Sequence, residues 1–281
     1  MLTTLKVWLS TIAGTFINIG ALIVFAIIYA ALVLSSYFFI AKGVATVGQV
    51  LLTYALMFLI PVLFFVYQAA IIGRIQAGRF QWSTIALNAG RFILGTIPLL
   101  LIAWLLYYLL NKLSVRYPAP VTSSAPGTEG IPYPAPIHWP SMILASLKFA
   151  LLGVALPLAA IHLWIEMASC NFRETLRSGA GSILSRMGRR FASAFAADSV
   201  LIYALGLLIF FVLPYTVLFV PFAPKGNKSD FAVFIVRLLL TYLFTFIGWV
   251  VTISALTRNA GDMSPQPTPS KSPAVAMEAA A

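Results

Sequence analysis

Residues 94–110 read LGTIPLLLIAWLLYYLL. A half-buried strand would alternate apolar and polar residues, and a helix in water would keep one polar face. This run does neither. It is apolar all the way round and long enough to match the ~30 Å hydrocarbon core of a bilayer. In lipid the backbone has to satisfy its own hydrogen bonds, so a run of this kind must be helical. A transmembrane barrel would instead show alternating segments of about ten residues.

The pattern recurs along the chain. Six spans are expected, over residues 13–40, 44–72, 92–110, 142–168, 197–222 and 231–256, which form a transmembrane helical domain over residues 1–258. The 281 residues are 61% hydrophobic and 9% charged, whereas a soluble domain is nearer 45–50% apolar with about 25% charged. The fold class that follows is all-α, a polytopic helical membrane protein. The first apolar run is far longer than a signal-peptide core. Its excess, about residues 2–12, reads as an interfacial lead-in to an uncleaved span.

Basic residues set the threading. The net charge of +11 sits at the ends of apolar runs rather than on a soluble basic domain. Anionic headgroups of the bilayer are therefore the expected partner, and nucleic acid is not. With six crossings, Lys6, Arg74, Arg79, Arg91, Arg258 and a cluster after the fourth span fall on one side. Fewer cations fall on the other. The positive-inside bias puts both termini in the cytoplasm, and a cell (inner) membrane is the expected location. The Pro-rich segment 113–140 then reads as an external loop, since its prolines forbid a continuous helix. Residues 259–281, small, polar and Pro-rich, read as a disordered cytoplasmic tail.

The basic cluster lies in RETLRSGAGSILSRMGRRFA, residues 173–192. Ile183, Leu184, Met187 and Phe191 recur at helical spacing, with arginines between them. Such a segment can lie in the headgroup layer with its arginines toward phosphates. Arg74, Arg91, Arg173, Arg177, Arg186, Arg189 and Arg190 are the candidate headgroup or topology anchors. The alternative for the stretch is a plain solvated loop. Its layout also matches an earlier segment: Arg74, Ser83 and Arg91-Phe92 stand at one constant offset from Arg173, Ser182 and Arg190-Phe191. Three repeated helical hairpins are the expectation, and transporter folds often carry such internal repeats.

Ionisable residues inside spans are costly and point to function. His162, Glu166 and Asp198 stand out, the first two one helical turn apart. A clamp of ion pairs between the fourth and fifth spans is the main reading, and a proton relay or a pocket for a cationic headgroup the alternative. Pro61 and Pro157, each inside a span, are candidate kinks.

No GxxxxGK[ST], HExxH or GxSxG occurs, so the familiar nucleotide, zinc-protease and serine-hydrolase signatures are missing. Cys170 is the single cysteine, and no metal site or cofactor is implied. The expected function is non-enzymatic, of transport or lipid-handling type. A structural or assembly subunit acting through a protein partner or a homo-oligomer is the second reading, and an intramembrane enzyme the third.

Overall fold

The structure, a computed structural model, describes residues 2–42, 46–117, 138–169, 188, 192–220 and 227–262. The basic stretch with Arg173, Arg177, Arg186, Arg189 and Arg190 lies outside the described residues, apart from Gly188 and Ala192. So do residues 118–137 of the Pro-rich segment and residues 263–281 of the tail. Among the described residues there is no strand, and six helices are long and apolar enough to cross a bilayer. The protein is an all-α, multi-pass integral membrane protein.

The helices are α1 (Leu2–Ile17), α2 (Ile19–Ala41), α3 (Val47–Ala77), α4 (Trp82–Arg116), α5 (Trp139–Ser169), α6 (Ala197–Phe219) and α7 (Asn227–Asp262). The lead-in is thus a separate helix, longer than expected, and it ends at Asn18 (φ −96°, ψ 66°). Asparagine competes for local hydrogen bonds and disfavours a helix interior. Helix α1 turns Thr4 and Thr11 inward, at 5% and 0% exposed, and leaves Leu5, Leu9 and Phe16 outside. An outer face of this kind suits lipid rather than water.

The second basic loop, expected over residues 73–91, is much shorter. Helix α3 runs on past Arg74 and stops at Gly78, whose φ of 69° is left-handed and whose N–H donates to the Arg74 carbonyl. Glycine takes that conformation without the steric penalty of a Cβ. Helix α4 then begins at Trp82 rather than near residue 92. Its first turns bury Ile85, Asn88, Ala89 and Phe92, a stripe at helical spacing that packs against α3 and keeps the chain helical. At the far end of α3, Thr46 and Gln49 form a reciprocal capping box, which fixes the start of the helix.

Helices α2 and α3, α4 and α5, and α6 and α7 are antiparallel neighbours, and α3, α5 and α7 also meet one another. The buried core gathers at one end. It takes the C-terminal halves of α3, α5 and α7 and the N-terminal halves of α4 and α6. That end also carries α1 and both described chain ends, because α1 packs on α6 and α7.

Prolines act differently in different helices. Helix α3 stays α-helical through Pro61. Helices α5 and α6 widen into π-helical segments, Phe149–Ala155 and Leu208–Val212, just ahead of Pro157 and Pro214. Pro157 lacks the N–H that would bond the Gly153 carbonyl in an α-helix. The Tyr203 hydroxyl on α6 donates to that carbonyl at 3.1 Å, so the irregularity is stitched to a neighbour. Near the second π segment α6 and α7 touch closely: a Cβ at Gly206 would meet the Thr252 hydroxyl, and one at Gly248 would lie 2.8 Å from the Phe210 backbone nitrogen. Small residues allow this approach in lipid, where dispersion rather than hydrophobicity drives helix association.

Candidate functional site

A cavity of about 190 Å³ opens at the packed, basic end, where α1 gives way to α2. Gly14, Thr15 and Asn18 line it from this junction, Leu22 and Phe25 from α2, Arg74 and Gly78 from the end of α3, and Val250, Ser254 and Arg258 from α7. The break at Asn18 separates two helix ends and leaves the space. Gly78 ends α3 one turn after Arg74, so this arginine stands at a helix C-terminus, where a cation is favourable.

Each guanidinium is positioned by a different contact. Arg74 lies over the Phe80 ring at 5.7 Å, a cation–π arrangement, and Phe80 in turn packs edge-on to Phe25 of α2 at 5.6 Å. Arg258 reaches Thr11 of α1 at 3.5 Å, and a Cβ on Gly14 would sit 3.4 Å from its Nη2. Among the described residues no Asp or Glu lines the cavity, and neither arginine has a carboxylate partner. The space equals that of about six waters at ~30 Å³ each, room for a headgroup-sized anion but below the ~300 Å³ of an ordinary small-molecule pocket.

Two cations at the opposite end, Lys148 and Arg237, are held by hydrogen bonds within the protein. Lys148 donates to Asn111 Oδ1 at 2.7 Å and to the Ser114 hydroxyl at 3.2 Å, joining α5 to α4. Arg237 donates to the carbonyls of Val220 and Leu218 at 2.7 and 3.4 Å, closing the C-terminus of α6.

The other residues singled out from sequence are placed as follows. Arg91 lies within α4, not in a loop, and its guanidinium donates to buried Asn88 at 3.4 Å. His162 is 2% exposed in the core half of α5, and Glu166 follows it one turn on, half-buried. Asp198 stands in the exposed first turn of α6 and accepts a hydrogen bond from Thr4 of α1. It therefore ties α6 to α1 and makes no hydrogen bond to His162 or Glu166. Gly14, Asn18, Gly78 and Phe80 were not legible as site residues, and Arg258 was legible only as a topology charge. The available signal was Asn18, a lone amide in an otherwise apolar stretch.

No protein-family model matches the chain, and neither a curated protein nor a solved structure matches it. The chemistry has to be read from the site itself.

Proposed function

We propose that this multi-pass membrane protein is of transport or lipid-handling type and engages anionic headgroups at its basic end, which faces the cytoplasm. The observation that carries the reading is the cavity shared by Arg74 and Arg258, with no acid among the described residues that line it. Two guanidiniums that face a headgroup-sized space favour a phosphate-type oxyanion, because their N–H forks match its oxygens. The cavity lies near the ends of α1, α3 and α7, and cations where spans leave the hydrocarbon attract anionic lipid. Internal repetition of three helical hairpins, each beginning at the basic end, is part of the same reading.

Lipid retention by the purified protein tests it. The protein in detergent is exchanged against equal phosphatidylglycerol and phosphatidylcholine, and bound lipid is measured by native mass spectrometry. Wild-type protein should retain phosphatidylglycerol selectively. The double variant Arg74→Ala/Arg258→Ala should lose most of that selectivity, while Arg237→Ala, at the opposite end, should keep it. Equal retention by the double variant and the wild type would refute the reading.

A further inference from the structure

Of the helices that line the cavity, α2 and α3 continue inward on the lining face, and α7 packs beside them. On α3, Tyr67 and Gln68 stand one heptad before Arg74 and Ile75, which puts them on the cavity-lining face about 10 Å deeper at 1.5 Å per residue. On α2 the lining residue Phe25 is followed one turn later by Tyr29, whose ring centroid is 5.7 Å from that of Tyr67. On α7 the lining residue Val250 is the neighbour of Trp249.

The Trp249 indole N–H donates to Gln68 Oε1 at 3.0 Å. An indole nitrogen can only donate, so it fixes the amide: the Gln68 carbonyl is taken and its NH2 is left over. Gln68 is 0% exposed and Tyr67 1% exposed. Neither the Gln68 Nε2 nor the Tyr67 hydroxyl has a hydrogen-bond partner among the described residues. Orphaned polar groups in an interior are costly and call for an explanation. On α7 the buried hydroxyls of Thr252 and Thr257 are satisfied, donating to the carbonyls of Gly248 and Ile253 at 2.6 and 2.7 Å.

We infer that Gln68 and Tyr67 form an inner binding step for a phosphate-type oxyanion, reached from the arginine cavity along the seam of α2, α3 and α7. The inference rests on the headgroup reading and adds an inner site to it. Guanidinium, amide NH2 and phenol O–H all offer hydrogens, and no carboxylate lines the mouth among the described residues, so the seam selects an acceptor-rich, negative group. The phosphate belongs either to a lipid headgroup or to a free ion. Trp249 positions the amide by holding its carbonyl.

Proteoliposomes test this with two probes, radiolabelled inorganic phosphate for uptake and fluorescent phosphatidate for movement between leaflets. Gln68→Leu removes the amide at similar volume. It also strands the Trp249 N–H, so the melting temperature should fall, but the folded protein should keep the phosphatidylglycerol retention of the arginine cavity and slow transfer at least tenfold. Tyr67→Phe should slow it several-fold. Trp249→Phe frees the amide to turn and should also slow transfer, which provides a second variant if Gln68→Leu fails to fold. Transfer in the phosphate arm assigns the free ion, and transfer in the phosphatidate arm assigns the headgroup. Folded Gln68→Leu and Tyr67→Phe proteins that move both probes at wild-type rates would overturn the inner step, as would background movement of both probes by the wild type. Retention separately decides the arginine cavity, so the two readings fail by different measurements.

Discussion

The Trp164 indole N–H on α5 donates to the Thr96 hydroxyl on α4 at 2.9 Å, with the two residues 5% and 8% exposed. The same hydroxyl donates to the Phe92 carbonyl at 2.6 Å, so it accepts and donates at once. The Trp164 ring stacks on Phe92 and meets Phe65 of α3 edge-on at 5.7 Å. One side chain thus joins α3, α4 and α5 in the packed end. Thr96→Val keeps the shape but strands the indole N–H, and should cost about 1–3 kcal/mol. A lower melting temperature in detergent is the expected result. The double variant Thr96→Val/Trp164→Phe should lose less than the sum of the two singles, because both remove one interaction.

The contact between α6 and α7 is limited by glycine. A Cβ on Gly248 would lie 2.8 Å from the Phe210 backbone nitrogen and 2.9 Å from the Phe210 Cβ, so the helices must move apart to admit it. Gly248→Ala should destabilise by about 1–3 kcal/mol, the usual effect of overpacking. Gly95→Ala provides a contrast. The atoms it meets are the sulfur and methyl of Met167, the flexible end of a side chain that can turn away. Melting curves of the two variants should separate clearly.

Arg74 owes its position to Phe80 as well as to its charge. Arg74→Lys keeps the charge but loses the planar fork and the ring contact. Phosphatidylglycerol retention should fall between wild type and Arg74→Ala. Raising salt should weaken the lysine variant more, since a point charge at a partly open site is screened. Retention equal to wild type at all salt concentrations would show that charge alone matters there.

Gly14 keeps α1 clear of Arg258. Gly14→Val would press methyl groups against Nη2, which already stands 3.4 Å from an ideal Cβ position. The variant should narrow the cavity and reduce lipid retention several-fold, with little change in melting temperature. Gly20, also near the α1–α2 break, has nothing within 4 Å of a built Cβ, and Gly20→Ala should retain lipid normally.

Threading is checked on one helix. With Cys170 replaced by Ala, single cysteines at Ser83 and Val115 mark the two ends of α4. An impermeant maleimide added to sealed right-side-out vesicles should reach position 115, and position 83 only after the membrane is opened. Labelling of both positions from one face would contradict a crossing by α4.

Much of the architecture was readable because lipid imposes a coarse rule. Apolar runs the length of a bilayer become helices whatever their neighbours, so all six spans could be located before any contact was known. Helix ends were less readable. Residues 82–91 look like a loop because Arg91 and Asn88 interrupt the apolar pattern, yet Ile85, Ala89 and Phe92 pack on α3 and hold the helix. The site was less readable still. Arg74 was marked as a basic residue at a span end, but its partner in the cavity, Arg258, stands at the other end of the chain.

Length and oiliness of the segments, together with the count of cations at their ends, determined a six-span helical membrane protein from sequence alone. These properties act locally, between each segment and the lipid around it. Only the tertiary structure decided that α1 breaks at Asn18, that α3 and α7 bring two arginines to one cavity, and that Trp249 holds the Gln68 amide. Those relations join residues far apart in the chain. They depend on which helix faces pack together, and hydropathy does not encode that.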